Sequence, residues 1–388
     1  MVKKISILTA TRAEYGLLKP LIKKLKEMTE FEVQIVVTGA HLSPEFGLTY
    51  KEIEQDGFQI DEKIDMLVSA DTPAAISKSM GLSMIGFADY FQRSQPDMLI
   101  VLGDRYETLA VCLAAMNQRI PIAHLYGGET TEGAVDESIR HAITKVSYLH
   151  FTSTDLYRNR VIQLGEHPDR IHCVGALGVE NILSESLLTK KELESSIGFN
   201  LDAPYALVTF HPVTLEDNQS EIQMKSLLSA IKNYPDMKFI FTKANADANG
   251  RVINKLIDSY CSNNSHAVAF TSLGLRRYLS ALQNCSMVIG NSSSGLIEAP
   301  SFGVPTINIG DRQKGRLQAN SVINCKAENE SINKAIALAA SDSFKEKAMN
   351  AVNPYGNGDT SEKIAKVLLK FLINDEINLK KTFFDLEM

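Results

Sequence analysis

The chain has 388 residues, 44% of them hydrophobic, and a formal net charge of −6 with both signs interspersed. At ~100–200 residues per domain two domains are expected, and the charge gives no electrostatic footprint for nucleic acid. No apolar run reaches the ~18 residues of a membrane-spanning helix, the first apolar run is too short for a secretory signal, and five scattered cysteines without a C-x-x-C pair argue against a disulfide framework or a zinc site; a cytoplasmic protein with buried, reduced thiols is expected.

Short apolar runs alternate with stretches of helical period. In the first half the predicted strands are Ile5–Thr9, Val33–Val37, Met98–Leu102, Ile120–His124 and Leu149–Thr152. Leu17–Met28, Ala74–Phe91, Glu107–Asn117 and Ser138–Lys145 read as helices between them. Continuous apolar strands separated by helices imply a parallel sheet covered on both faces. A second series follows a mixed stretch, Leu177–Asp202. Its strands are Tyr205–Phe210, Lys238–Thr242, His266–Phe270, Met287–Gly290 and Thr306–Ile309, with helices Glu221–Asn233, Leu273–Gln283 and Gly295–Ser301. The expected organisation is an N-terminal Rossmann-like domain over 1–176 and a C-terminal one over 177–360. A helical tail over 361–388 is expected to cross back to the first domain. Ligands of open parallel sheets bind beyond the carboxyl ends of the strands, so two such domains are expected to face an interdomain cleft.

The chemistry-bearing segments fall in those strand-end loops. After the first strand, TATRAEYG places Arg12 at a helix start, either solvated or aimed at phosphate. G-x-G-x-x-G is absent, which leaves a nicotinamide cofactor without support. After the third strand, GDRYE offers Asp104 as an active-site acid or as a helix N-cap. The segment HLYGGETTEGAVDESIRHAITK is the densest, with Glu129, Asp136, Arg140 and His141. Asp136 and Arg140 are spaced as a helix ion pair, which is the plain alternative to catalysis. Carboxylates that share a site push each other's pKa values apart, which suits proton transfer. No H-E-x-x-H or other zinc spacing occurs, so no metal is expected. In the second half, FHPVT presents His211 and KANAD presents Asn245 at strand ends. GNSSSGLIE has P-loop glycine spacing, yet Leu296-Ile297 stands where Lys-Ser/Thr is required. What remains is a small-residue loop, Ser292–Ser293, opening a helix that could hold a diphosphate, with Glu298 placed for a ribose. Arg312, in GDRQKGR, adds positive charge.

Taken together, TATRAEYG, VLGDRYET, HLYGGETTEGAVDESIRHAITK, TFHPVT, KANAD, IGNSSSGLIEAPSFG and INIGDRQKGR resemble the hydrolysing UDP-N-acetylglucosamine 2-epimerases of bacterial sialic and related nonulosonic acid synthesis. The resemblance runs from residue 9 to 316. It implies a glycosyltransferase-B-like fold, no cofactor, no metal, and a homodimer or homotetramer. It also implies conversion of UDP-GlcNAc and water to N-acetylmannosamine and UDP, through 2-acetamidoglucal. Carried over by position, Arg12, His211, Asn245, Ser292, Ser293, Glu298 and Arg312 meet the UDP, and Asp104, Arg105, Glu129, Asp136 and Arg140 meet the sugar. The non-hydrolysing relatives have an acid two residues after the strand-end His, where this chain has Tyr126. That moves the acid role to Glu129, with Asp104 or Asp136 as base and His211 stabilising the departing UDP. Two other readings share these residues: the same reaction on UDP-2,4-diacetamido-2,4,6-trideoxyglucose, and a UDP-sugar glycosyltransferase. A silent UDP-sugar sensor would need fewer acids beside an anionic ligand.

Overall fold

A computed structural model of the chain describes residues 2–68, 70, 72–130, 135–212, 219–244, 250–356, 358–374 and 377–386. The chain divides into two compact units. Unit 1 comprises Met1–Glu129, Asp136–Asn181 and Tyr355–Met388, and unit 2 comprises Thr130–Val135 and Ile182–Pro354. The main crossings therefore fall after Asn181 and at Tyr355, where the sequence placed them at 176 and 361.

Unit 1 is a seven-stranded parallel sheet in the order β3-β2-β1-β4-β5-β6-β7. Its strands are β1 (Lys3–Thr9), β2 (Phe31–Thr38), β3 (Glu62–Ile64), β4 (Met98–Leu102), β5 (Ile122–Leu125), β6 (Leu149–Thr152) and β7 (Ile171–Cys173). Helices α1 (Arg12–Lys26), α2 (Tyr50–Gln55), α3 (Pro73–Ser94), α4 (Tyr106–Asn117), α5 (Val135–Val146) and α6 (Asp155–Gln163) connect them. The central strands are buried on both faces, β4 along its whole length, which is why they read as unbroken apolar runs. The expectation from sequence lacked β3 and β7. Both are three-residue edge strands with exposed positions, and neither carries an apolar run. Cys173, on β7, is exposed rather than buried.

Helix α1 shows how local chemistry sets an element. Thr11 caps it, and Glu14 reaches back to the cap in a capping box, satisfying donors the helix start leaves open. Three lysines in the last turn suit the negative end of the helix dipole. Pro20 lies inside this helix and cannot donate to the Gly16 carbonyl. Asn181 Nδ2 donates to that carbonyl instead, at 2.7 Å.

Helix α7 (Leu177–Ser184) spans the boundary at Asn181, and α8 (Lys190–Ile197) follows in unit 2. Its six-stranded parallel sheet has the order β10-β9-β8-β11-β12-β13, built from β8 (Tyr205–Thr209), β9 (Lys238–Thr242), β10 (Ala267–Phe270), β11 (Met287–Gly290), β12 (Thr306–Ile309) and β13 (Val322–Cys325). Its other helices are α9 (Gln219–Ile231), α10 (Gly250–Ser262), α11 (Gly274–Asn284), α12 (Ser294–Ile297), α13 (Asn329–Ala340) and α14 (Asp342–Met349). Edge strand β13, only partly buried, again escaped the sequence reading. One apolar layer packs Val208, Phe241, Ile289 and Ile307 of the sheet against Met224, Leu227 and Ile336 of the helices. Each such side chain contributes about 1.5–3 kcal/mol when fully buried.

Helix α15 (Thr360–Leu369) returns the chain to unit 1, where Lys24 of α1 pairs with Glu362 at 2.5 Å. A π-helical turn, Lys370–Asn374, follows, and residues 377–386 carry no regular secondary structure, so only the first part of the expected helical tail is helix. Among the described residues, no helix is long and apolar enough to cross a membrane.

Candidate active site

In unit 1 the strand order reverses between β1 and β4, the switch point where open parallel sheets bind ligands. Arg12 is the first residue of α1 at that point. It is half-buried, and burial lowers its pKa while Glu52 opposes the shift. Asp104 follows β4, but the N-cap of α4 is Arg105, so Asp104 is not a cap. Its Oδ2 accepts from Nη2 of Arg140. Arg105 turns back along α4 and donates to Glu107, with Nε to Oε2 at 3.2 Å and Nη2 to Oε1 at 3.1 Å.

Arg140 is the hub of this region and is 1% exposed. Besides Asp104, it donates from Nη1 to the Glu129 carbonyl at 2.9 Å and to Glu137 Oε2 at 3.0 Å. One rigid guanidinium fork therefore ties together the ends of β4 and β5 and the first turns of α5. On its own helix Arg140 pairs with Glu137, one turn back, at 3.0 Å. Glu129 is 2% exposed, and its Oε1 accepts from Ser153 Oγ at 2.8 Å. Asp136 is half-buried on α5. His141, its neighbour on the same helix, meets Glu137 Oε1 at 3.1 Å.

The backbone of this region is under constraint. Gly128 has φ +79°, and a Cβ there would lie 2.3 Å from the Tyr157 carbonyl, so only glycine fits. Arg160 Nη1 donates to the Gly128 carbonyl at 2.6 Å. Tyr126 adopts φ +68° although it carries a side chain, a conformation that costs energy and clusters at functional sites. Its hydroxyl accepts from Gly178 N at 3.4 Å. His124 is fully buried, and burial pushes its pKa down to about 3. Its Nε2 faces the Gly103 carbonyl at 2.8 Å and must carry the proton, because a carbonyl only accepts. The neutral ring thus fixes the turn that presents Asp104.

In unit 2 the equivalent reversal lies between β8 and β11. His211 follows β8 and is buried. Its backbone is clamped by Asn291, which accepts from His211 N at 2.7 Å and donates to His211 O at 2.7 Å. Gly290, just before Asn291, has φ +139°, and a Cβ there would meet Thr209 O at 1.9 Å. Ser292 and Ser293 are half-buried. The helix they open is short: α12 ends at Ile297 and Glu298 leads into a 3-10 turn, Ala299–Phe302. Pro300 lacks the N–H that would continue the α-helix. The predicted Gly295–Ser301 helix is thus two elements. Arg312 Nη1 and Gln313 Nε2 both donate to the Asn291 carbonyl, at 3.1 and 2.8 Å. Asn245 lies outside the described residues, as do 131–134 of the acid-rich segment.

The structure therefore gathers Asp104, Glu129 and Arg140 in unit 1, and His211 and Arg312 around Asn291 in unit 2. Several positioning groups were not singled out from sequence: His124, Ser153, Arg160, Glu137, Asn291 and Gln313. Glu137 and Asn291 lay within the quoted motifs, and their composition was the available signal. Ser153 and Arg160 lie beyond those motifs, where nothing in the sequence marks them. Among the described residues, no group of three or more His, Cys, Asp or Glu is arranged to hold a metal ion.

The family model described as UDP-N-acetylglucosamine 2-epimerase matches residues 23–369. The chain is 45% identical to a Campylobacter jejuni protein named GDP/UDP-N,N'-diacetylbacillosamine 2-epimerase (hydrolyzing), over 99% of both chains. It is 39% identical to the polysialic acid biosynthesis protein P7 of Escherichia coli, over 99% of this chain and 98% of the other. With a Legionella pneumophila protein named UDP-N,N'-diacetylbacillosamine 2-epimerase (hydrolyzing), identity is 33% over 97% and 98%. The fold is similar to that of the Neisseria meningitidis UDP-GlcNAc 2-epimerase crystallised with UDP-GlcNAc, with a TM-score of 0.81, 20% identity, and 95% and 100% of the chains covered. Two Rossmann-like units of glycosyltransferase-B type thus carry the motifs, and the chain belongs to the UDP-N-acetylglucosamine 2-epimerase family of UDP-sugar 2-epimerases.

Proposed function

We propose that the protein is a hydrolysing 2-epimerase whose substrate is UDP-2,4-diacetamido-2,4,6-trideoxyglucose, released as the free manno-configured sugar and UDP. The observation that carries the reaction is the Asp104–Arg140–Glu129 cluster, in which one buried guanidinium holds a carboxylate and the backbone of a second acid at adjacent strand ends. The choice of sugar is supported by the names of the 45% and 33% identical relatives. It replaces UDP-GlcNAc, the first expectation from sequence, as the preferred reading. The 39% identical relative, named for polysialic acid synthesis, keeps UDP-GlcNAc as the second.

Two steps account for the products. In the first, the C1–O bond to UDP breaks as the C2 proton is lost, leaving a C1–C2 double bond. The C2–H is weakly acidic, so cleavage at C1 leads and UDP departs with added negative charge. Arg12, His211, Arg312 and the Ser292–Ser293 loop are assigned to that charge, and Glu298 to the ribose. Asp104 takes the proton; it keeps 24% of its side-chain surface exposed, whereas Glu129 is nearly enclosed. In the second step water adds its hydroxyl to C1 while an acid delivers a proton to C2 from the opposite face. Glu129 is assigned that role, and Asp136 is the alternative to Asp104 as the base of the first step. Two groups on opposite faces are needed, since one group alone restores the starting configuration.

The test compares kcat/KM for the two UDP-sugars, with GDP-linked sugar as a third arm because the Campylobacter relative is named for both nucleotides. Release of free sugar and UDP from the diacetamido substrate at least about ten-fold more efficiently than from UDP-GlcNAc supports the assignment. The reverse preference returns the substrate to UDP-GlcNAc. UDP release only on addition of an acceptor makes the protein a transferase. Asp104→Asn and Glu129→Gln each lower kcat by about 10²–10⁴-fold if they transfer protons.

A further inference from the structure

Residues 377–386 carry no regular secondary structure, yet specific contacts outside the active site seat them on unit 1. Phe384 N donates to the Gly165 carbonyl at 2.9 Å. The Phe383 ring covers Gly165, where a Cβ would lie 2.2 Å from it, and its centroid stands 5.2 Å from Lys145 Nζ. Lys381 Nζ donates to Ser147 O at 2.6 Å and to Lys145 O at 2.9 Å. The last turn of a helix leaves carbonyls without intrahelical partners, and the Lys381 ammonium meets that need at the negative end of the α5 dipole. It also pairs with Glu166 Oε2 at 2.7 Å. Glu166 is 0% exposed. Its Oε1 takes Lys145 Nζ, from the last turn of α5, at 2.6 Å, and its Oε2 lies 3.2 Å from His150 Nε2 on β6.

Helix α5 holds the Asp104 turn from two of its residues. Arg140, near the middle of the helix, donates to Asp104 Oδ2. Thr144, next to Lys145, places its Oγ1 3.2 Å from His124 Nδ1, and His124 Nε2 donates to the Gly103 carbonyl at 2.8 Å. From Lys381 to Asp104 the path therefore runs through groups that are bonded or adjacent in the chain: the Lys145 carbonyl, Thr144, His124 and the Gly103 peptide. Fraying or displacement of the last turn of α5 disturbs both holds on Asp104 together.

We propose that Lys381 is a positioning residue for Asp104: segment 377–386 straps the last turn of α5 onto Glu166, and so fixes the helix that presents Arg140 and Thr144 to the Asp104 turn. The proposal rests on the reading of Asp104 as the base that takes the C2 proton. The strap acts on the chemical step and leaves nucleotide binding alone, because the groups assigned to UDP are Arg12 and residues of unit 2, none of them on α5. Its loss lowers kcat about ten-fold, less than the ~10²-fold that misplacing a reacting group by a full ångström can cost.

The test uses the full chain, well below the melting midpoint of every variant, and measures kcat and KM for the turned-over sugar and the Kd of UDP by calorimetry. Lys381→Met should lower kcat about ten-fold with the Kd of UDP within about two-fold of wild type. Lys24→Met is the control. It breaks the exposed pair with Glu362 that ties α15 to α1, away from α5, and should leave kcat unchanged. A Lys381→Met protein that only melts lower, with wild-type kcat, overturns the proposal, as does an equal loss of kcat in Lys24→Met. So does a loss of UDP affinity as large as the loss of kcat. Should Lys381→Met fail to fold, Phe383→Ala decides. That ring is 63% exposed, so its deletion spares the core while loosening the same strap. kcat must then fall with Kd unchanged, and a wild-type kcat overturns the proposal. A wild-type protein that turns over neither sugar, or an Asp104→Asn variant with full kcat, contradicts the reading of Asp104 instead. The strap is then judged by hydrogen exchange of the ligand-free protein: amides of α5, Gly103 and Asp104 must exchange faster in Lys381→Met and not in Lys24→Met. Faster exchange confined to residues 377–386, or equal in both variants, overturns the proposal.

Discussion

Replacing Arg140 by Met removes the hub while filling most of its volume. The hydrogen bonds donated to Asp104, Glu129 and Glu137 disappear. Removing one member of a buried ion pair costs ~3–5 kcal/mol, chiefly because the partner is left charged and dry. Here the two stranded carboxylates keep 24% and 25% of their side-chain surface exposed, and water can take over part of the lost solvation. The Glu129 carbonyl, in the buried part of the site, cannot be compensated so easily. The loss should therefore sit near the lower bound, about 3 kcal/mol. For a unit of this size that is a Tm shift of roughly 6–12 °C. The chain has no tryptophan, so unfolding is followed by circular dichroism at 222 nm. kcat should fall with stability, because Asp104 loses the group that fixes it, and Arg140→Lys should rescue neither in full, since an ammonium cannot serve three acceptors in one plane. An Arg140→Met protein within about 1 kcal/mol of wild type and with full turnover would refute the hub argument.

Asn291→Ala leaves the His211 N–H and carbonyl without their 2.7 Å partners; a loss of about 2–4 kcal/mol and weaker UDP binding by calorimetry are expected. Gly290→Ala places a methyl against Thr209 O at a strained φ, and should cost roughly 3 kcal/mol or more, read as loss of soluble protein or a lower melting midpoint. Glu166 tests a distant part of unit 1. Burial alone raises its pKa, but His150, Lys145 and Lys381 together bring it down to about 2. A folded value below the ordinary 4.5 means the stabilisation is full above pH 4.5 and lost as pH falls towards 2. Lys381 also donates to the Lys145 and Ser147 carbonyls at the end of α5. Lys381→Met should thus lower stability by about 1–2 kcal/mol near pH 7, and the gap should narrow as pH is lowered through that range in pH-dependent unfolding.

Much of the fold was legible because parallel strands are buried on both faces. β1, β4, β8 and β11 appear as continuous apolar runs with helices between. The edge strands β3, β7 and β13 were not, since each is only three or four residues long and mixes exposed positions with buried or partly buried ones, which leaves no apolar run. The break of the Gly295–Ser301 helix into α12 and a 3-10 turn was readable in principle, as Pro300 stands in it. The site was legible as a set of strand-end loops but not as a wiring diagram. Arg140 and Asp104 are 36 residues apart, and Asn291 and His211 are 80 apart. Pairings at such separations depend on which strands are neighbours, and sequence spacing does not encode that.

The central claim is elimination of UDP followed by hydration, on a diacetamido sugar, and it is tested most directly in D2O. UDP-2,4-diacetamido-2,4,6-trideoxyglucose is turned over, and the free sugar is examined by mass spectrometry and proton NMR alongside the UDP released. One deuterium at C2, manno configuration, and one UDP per free sugar are predicted. A released sugar that retains hydrogen at C2 or the gluco configuration would contradict the account.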